Sequence, residues 1–509
     1  MIYTKKDNHM RIKSNLLPIF FIALAILSSC GGSDPAQTGN ASTTTGWNYN
    51  DPATGGFEVK TAMEQPTGPG LILIEGGTFT MGRVQDDVMY EWNAVPRRVT
   101  VSSFYMDETE IRNVDYREYL HWLERVFGDN NRQVVDRALP DTLAWRSPLA
   151  ANEDYVEYYF RQPSYNQYPV VGVNWLQAND YCQWRTDRVN EKLLVDEGII
   201  ELSTDQKDLN NFNTDAYLAG IYQPVIRNPI PSLDPAQDTR GMKMEDGILL
   251  PKYRLPTEAE WEFAAYALRG NTSEELIWEK RIYPWNGHNV RNDESQNLGE
   301  FRANFVRGKG DMMGVAGSLN DIGSITTPVK SYWPNDYGLY CMAGNVNEWV
   351  ADVYRPLSSE DVDAFNPYRG NTYEKLYKNL DGRPEVDSLG RLRKVPITEK
   401  DAENRYNYRK SDYRNYRDGD IQSSMYYDEK DTADEKYRNG SRNMYVTTTP
   451  YENPSSLIND NVRVYKGGSW KDRAYYLSPG TRRFLRETEN RDDLGFRCAM
   501  TRLGSPSGN

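Results

Sequence analysis

Beyond Leu268 the sequence shows few long periodic apolar runs, and Gly, Asn, Trp, Pro and Tyr take their place. A chain so punctuated cannot satisfy its backbone N–H and C=O groups with regular ladders alone. Side-chain networks or bound metal ions are the usual means, so the expected fold is loop-rich and held by polar contacts. Material for a core is nevertheless present. The 509 residues include 36 Tyr and 12 Trp, amphipathic rings that suit packed loops with polar edges, and the length can fill one to three domains. With 60 basic and 73 acidic residues the formal net charge is −13. Such a surface repels phosphates. The sequence holds no zinc-finger, helix-turn-helix or Walker pattern, and nucleic acid is not an expected partner.

The beginning of the chain reads as a targeting segment. Arg11 and Lys13 precede an apolar run from Leu16 to Leu27, too short to span a membrane comfortably. The run ends Leu27-Ser28-Ser29-Cys30, which resembles the bacterial lipobox, whose cysteine is acylated and becomes the new N-terminus. Residues 1–29 are therefore expected to be a lipoprotein signal peptide and Cys30 the lipidated residue. Several acyl chains on one residue give stable anchoring, each buried CH₂ contributing about 0.8 kcal/mol. Residues 30–66, rich in Gly, Ser, Thr, Pro and Asn, read as a flexible tether. No other stretch looks able to span a bilayer, so the body is expected to be exported and soluble. Cys182, Cys341 and Cys498 remain. They permit one disulfide and leave one thiol, and spacing does not choose the pair.

The coarse pattern is α+β. Leu71 to Gly82 holds two short strand candidates around a Gly-Gly turn, and Val99 to Tyr105 is another. Tyr116, Tyr119, Leu120, Leu123 and Phe127 recur at helical spacing after Asn113. Asn174 can cap a second helix, with Gln177 three residues on and Ala178, Tyr181 and Cys182 on one face. Pro256-Thr257-Glu258-Ala259-Glu260 is a capping box, followed by the stripe Trp261, Ala264, Ala265 and Leu268. Glu258, Glu260 and Glu262 then read as acids favoured near a helix N-terminus. Asp492, Asp493 and Glu489 read as a loop cluster. Ser469 has no histidine nearby and no nucleophile elbow. Two segments, about 187–250 and 355–460, look inserted. The second is dense in Tyr, Arg and Asp, residues that make either solvated loops or binding faces.

Ten motifs in order resemble the formylglycine-generating-enzyme (sulfatase-modifying factor) family. They run from Glu75-Gly-Gly-Thr-Phe-Thr-Met-Gly82, Phe104-Tyr-Met-Asp-Glu-Thr-Glu110 and Tyr168-Pro-Val-Val-Gly-Val-Asn-Trp175 to Tyr181-Cys-Gln-Trp184 and Arg254-Leu-Pro-Thr-Glu-Ala-Glu-Trp261. Tyr283-Pro-Trp285, Pro334-Asn-Asp-Tyr-Gly-Leu-Tyr340, Gly344-Asn-Val-Asn-Glu-Trp349, Lys466-Gly-Gly-Ser-Trp470 and Gly495-Phe-Arg-Cys498 complete the set. The resemblance implies a variant of the C-type-lectin fold over residues 67–503, loop-rich and carrying the two insertions, with 504–509 as a tail.

Function lives in the site and not in the fold. The family's oxidases place two copper-binding cysteines shortly after the Gly-Gly-Ser-aromatic motif, and those positions fall here on Asp472 and Leu477. Copper(I) requires soft thiolates, so neither residue can serve. The family's iron-dependent sulfoxide synthases need a histidine cluster. Of His9, His121 and His288, the first lies in the signal peptide, and three ligands cannot be assembled. Neither copper nor iron is expected. The resemblance does imply a Cys182–Cys498 disulfide, with Cys341 left as a thiol. It also implies structural calcium, at Asn304, Phe305, Asp321 and Gly323, and more weakly at Gly344, Val346 and Glu348, where Cys341 replaces an oxygen-bearing side chain.

Within the family, a lipoprotein with Thr45-Gly46-Trp47 before Gly55-Gly56-Phe57 and long insertions resembles the gliding-motility lipoproteins of Bacteroidetes. That likeness implies a non-catalytic scaffold, anchored by lipid in the outer membrane at its periplasmic face. Its partners would be other proteins of the gliding and type IX secretion machinery. Cys30-Gly-Gly-Ser-Asp34 lacks the strongly acidic run of surface-exported lipoproteins in that group, which agrees with the periplasmic face. Two other readings stand beside it: an enzyme with relocated chemistry, for instance on Cys341, and a lectin-like binder using Trp and Tyr platforms.

Overall fold

The computed structural model describes residues 41–60, 63–82, 93–268, 281–306, 324–354, 374–396 and 461–504. By contact the chain divides into one unit of Met1–Met63 with Pro229–Gly247, and a larger one of Glu64–Asn228 with Ile248–Asn509. The signal peptide and Cys30 lie outside the described residues, as do Asp321 and Gly323 and most of 355–460.

In the larger unit, strands β1 (Leu71–Ile74), β2 (Gly77–Met81), β3 (Arg97–Val101) and β4 (Phe104–Asp107) form one bent antiparallel ribbon. The register is unbroken, Leu71 facing Asp107, Ile74 facing Phe104, and Gly77 facing Val101. The sequence pattern suggested a single strand from Val99 to Tyr105, and the structure divides it at Ser102-Ser103. The division has a steric cause: a Cβ on Gly76 would lie 2.3 Å from the Val101 carbonyl oxygen. The ribbon can bend there only because position 76 is glycine.

Helix α1 (Asn113–Phe127) buries Tyr116, Tyr119, Leu123 and Phe127 of the face its spacing predicts, leaves Leu120 half-buried, and adds Val126 to the buried side. Helix α2 (Trp175–Asp196) starts at Asn174, whose side chain accepts from Gln177 N–H at 2.9 Å while Gln177 answers at the Asn174 N–H, 2.8 Å. It runs on through residue 187. The segment read as an insertion from 187 therefore begins inside a helix, with Asp187 accepting from Thr214 N–H at 2.9 Å. Tyr116 and Tyr181 stack with centroids 5.6 Å apart, and Phe496 meets both edge-on.

In the smaller unit, β5 (Ile230–Pro231) pairs with β6 (Thr239–Arg240). Within the stretch read as a tether, residues 41–60 carry defined hydrogen bonds, among them Asn50 N–H to Phe57 O at 2.9 Å.

The larger unit continues with β7 (Tyr253–Arg254) and helix α3 (Glu258–Tyr266), whose Thr257–Glu260 capping box forms as the sequence predicts. The helix ends two residues short of Leu268, Ala267 taking a left-handed φ of 46°. Strand β8 (Asn347–Val353) follows, then a ribbon of β9 (Glu374–Leu376) and β10 (Lys394–Pro396) from the second insertion. The last strands are β11 (Val462–Lys466), β12 (Arg483–Arg486), β13 (Leu494–Gly495) and β14 (Ala499–Thr501). Among the described residues two four-stranded sheets result, β1-β4-β14-β7 and β12-β11-β8-β13. Burial concentrates on β8 and β11, with Trp349, Val350 and Val464 removed from solvent. No helix among the described residues is long and apolar enough to cross a membrane.

Candidate functional site

The loop after β11 is built by two glycines. Gly467 and Gly468 take φ of 103° and 72°, and a Cβ on Gly468 would fall 2.8 Å from Tyr476 O. Only glycine tolerates both the left-handed backbone and that approach. The turn folds residues 469–477 back on themselves and carries Asp472 inward. Ser469 N–H donates to Asp472 Oδ2 at 2.9 Å, and Ser469 Oγ lies 2.8 Å from both Asp472 Oδ2 and Asp493 Oδ2.

Arg483 on β12 grips Asp472 with both terminal nitrogens, at 2.8 and 2.7 Å. Its guanidinium lies over the rings of Tyr476 and Tyr465, at 4.6 and 4.9 Å. Burial raises the Asp472 pKa, but the charge and hydrogen bonds of Arg483 outweigh it and hold the carboxyl below its ordinary value. Leu477 is removed from solvent and packs with Ala303 and Ala343. The two positions that the resemblance assigns to copper thus hold a carboxylate saturated by a guanidinium and an aliphatic side chain. This donor set does not fit a thiophilic metal.

The thiols lie elsewhere. Cys182 on α2 faces Cys498 with sulfurs 3.5 Å apart, both buried as thiols. Burial and the neighbouring Cys182 push the Cys498 thiol well up. Cys341 is buried, its Sγ 3.5 Å from Val329 O, and burial followed by the Glu110 charge raises its pKa well above the ordinary value. Reactive cysteines have depressed values and exposure, so the lone-nucleophile reading finds no footing at Cys341. Its backbone is left-handed, φ 53°, a conformation that Asn adopts several-fold more readily than most residues. His121 and His288 are both exposed.

The first calcium set can be placed in part and the second in full. Asn304 is buried and donates from its side chain to Ile325 O at 2.8 Å. Phe305 packs edge-on against Phe301, and the other two members fall outside the described residues. In the second set, Gly344 and Val346 are buried, while Glu348 accepts from Arg497 at both oxygens, 2.6 Å each, and from Trp261 Nε1 at 2.7 Å. Glu348 has no oxygen clear of a donor, and Cys341 offers sulfur where a hard cation prefers oxygen. This set as arranged fits calcium poorly. No group of three or more His, Cys, Asp or Glu able to hold a metal occurs among the described residues.

Sequence reasoning passed over several residues here. Glu110 is fully buried beside Glu348, and desolvation raises its carboxyl well above the usual range. Lys466 sits dry between Glu258 and Glu262, at 3.2 and 3.0 Å, with Arg482 Nε 2.8 Å from Glu258. These two glutamates are therefore buried ion-pair partners and not merely dipole-facing acids. Asp493, which does lie in a loop with Asp492 and Glu489, is buried there and accepts from Asn347 Nδ2 at 3.1 Å. Glu110, Arg497 and Lys466 all lie inside the quoted motifs, which was the available signal; Arg483 lies outside them. Elsewhere in this unit a cleft of about 410 Å³ is lined by Asp107, Glu108, Arg112, Arg185 and Lys330. Its cations are answered within the wall, Arg185 by Asp107 at 2.7 Å and Lys330 by Glu108 at 2.6 Å.

Residues 57–502 match the model of the sulfatase-modifying factor enzyme 1-like domain, and the chain belongs to that family. The formylglycine-generating enzyme of Mus musculus is 26% identical over 390 residues, covering 68% of this chain and 80% of the relative. That of Thermomonospora curvata is 40% identical over 319 residues, covering 58% and 75%. The inactive C-alpha-formylglycine-generating enzyme 2 of Bos taurus is 24% identical over 314 residues, covering 57% and 73%. The relatives thus include enzymes and a protein named inactive. Among solved structures, PvdO from Pseudomonas aeruginosa aligns over 86% of this chain and all of its own at 15% identity, with a TM-score of 0.40.

Proposed function

We propose that this chain is a non-catalytic scaffold on the formylglycine-generating fold, a lectin-like α+β body with its oxidase site closed by an ion pair. The observation that carries the reading is Asp472 locked to Arg483 with Leu477 packed into the core, where the oxidases of the family place sulfur. A copper oxidase needs two thiolates there, and this chain supplies none.

The finer reading is a lipoprotein of the gliding-motility and type IX secretion machinery, of the GldJ type. Cys30 carries the lipid anchor and the outer membrane holds the chain at its periplasmic face. Partners are other proteins of that machinery. Cys182 and Cys498 form the disulfide in an oxidising compartment, supported by the facing of their sulfurs. Calcium occupies Asn304, Phe305, Asp321 and Gly323 as a structural ion, and the set of Gly344, Val346 and Glu348 is the weaker site.

Two measurements test this. The purified mature protein, supplied with copper, oxygen and a cysteine-containing sulfatase peptide, is expected to leave the peptide mass unchanged; conversion to the aldehyde overturns the pseudo-enzyme reading. Residues 355–460 are proposed as the face that grips those partners: a pull-down of the membrane-extracted protein with and without them is expected to lose secretion or motility partners on deletion, and an unchanged partner set overturns that role.

A further inference from the structure

In the smaller unit, residues 41–60 are stitched to one another. Ser42 N–H donates to Trp47 O at 2.6 Å and Asn50 N–H to Phe57 O at 2.9 Å. The Asn50 amide clamps Val59 through two further bonds, at 3.1 and 2.8 Å. Asp51 caps the short turn at Ala53 N–H, 2.9 Å. Next to Phe57, the Glu58 carboxylate is taken by Arg240 Nε at 2.7 Å and by Leu233 N–H at 3.3 Å. Arg240 is held in turn by Asp246 at 2.6 and 2.8 Å.

This frame is well braced, yet it leaves Trp47 and Phe57 each 66% exposed and Met63 62% exposed. A single exposed apolar residue needs no explanation, but large rings fixed in water on one small braced element mark a contact surface. The identity of the contact follows from chain length. Ten residues separate Cys30 from Ala41, and a chain spanning that interval reaches at most about 40 Å. If Cys30 is acylated, the loop is confined within that distance of the bilayer, and this confinement raises its effective concentration there. Trp is enriched where hydrocarbon meets headgroups, and Phe is favoured on the buried side of interfacial segments.

We propose that Trp47 and Phe57 rest in the headgroup layer of the phospholipid membrane that holds the acylated Cys30, so that the smaller unit lies on the membrane. The inference rests on the lipid anchor proposed above. Full-length lipidated protein is reconstituted into phosphatidylcholine vesicles with and without brominated acyl chains, and tryptophan emission is compared for the wild type and W47F. Bromolipid is expected to quench part of the wild-type emission, by up to the share of one in 12 tryptophans, and W47F is expected to remove that loss. Equal quenching in both overturns the inference. So does a Trp47 that escapes bromolipid but is shielded from iodide in intact envelopes, the signature of a protein partner instead. The mass of the N-terminal peptide reads the anchor separately: acylated Cys30 with equal quenching sinks the membrane contact alone, whereas unmodified Cys30 removes both.

Discussion

Replacing Asp472 by alanine isolates its ion pair with Arg483. The side chains of Asp472 and Arg483 are 11% and 15% exposed, so the pair is far drier than the surface pairs that contribute about 0–1 kcal/mol. Removing one partner of a fully buried pair costs about 3–5 kcal/mol, because a charge is stranded. The residual exposure places D472A near the lower end, a loss of about 3 kcal/mol. R483M removes the stranded cation, so D472A/R483M should lose less than D472A alone, giving a coupling of about 2–3 kcal/mol in a double-mutant cycle. The pH dependence carries a sign. The folded-state pKa of Asp472 lies below its ordinary value of 3.8, so the stabilisation is present above that value and is lost as pH falls through the lower, folded one. The gap between wild type and D472A should hold at pH 7 and narrow below about pH 4. Urea unfolding of the four proteins at pH 7 and pH 3.5 measures all of this. A D472A loss under about 1 kcal/mol, or a vanishing coupling, would refute the view that this pair is a buried structural element.

Three further predictions follow from neighbouring networks. R497M leaves Glu348 dry without its cation and should cost about 3–5 kcal/mol, while E348Q/R497M should cost less; equal losses in chemical denaturation would speak against a buried pair. Peptide mapping of protein purified without reductant should find Cys182 joined to Cys498 and Cys341 free. Closing a loop of 316 residues contributes about 5–6 kcal/mol in the chain-entropy model, so C182S should lower the thermal midpoint sharply. T257A removes the α3 cap and its bond to Glu260 N–H and should cost about 1 kcal/mol, read by the same urea titration; a null effect would mean that tertiary packing alone fixes the helix start.

Helices were the most legible part of this sequence because their signals are local. Asn174 with Gln177 and Thr257 with Glu260 each announced a start that the structure reproduces atom for atom. Strands were less so. The break at Ser102-Ser103 depends on Gly76 lying across the ribbon, a contact between residues far apart in sequence. The site divides the same way. That Asp472 and Leu477 carry no sulfur could be read from spacing after the Gly-Gly-Ser motif, whereas the fate of Asp472 required Arg483, eleven residues on and brought in by β12 pairing with β11. Glu258 and Glu262 show the converse difficulty. On a helix their positions look like dipole-facing acids, and only the arrival of Lys466 from β11, more than two hundred residues away, makes them a buried pair.

The loop-dense second half of the chain posed the problem of satisfying polar groups without ladders, and the structure meets much of it with charge. Lys466 with Glu258 and Glu262, Arg497 with Glu348, and Arg483 with Asp472 all attach to the sheet β12-β11-β8-β13 or to the loops leaving it. Each pair is mostly or wholly removed from water; Lys466 ties β11 to α3, which no ladder joins, while Arg497 and Arg483 fasten the loops beside strands that are themselves paired. Buried pairs of this kind add little net stability over apolar packing, yet they make any misplacement costly. A fold positioned this way keeps its shape with an acid and a leucine at the oxidase position, because Asp472 is held by Arg483 and not by a metal. The proposed scaffold needs a body that holds together without a metal at that position, so the Asp472–Arg483 cycle bears on the proposal as well as on stability.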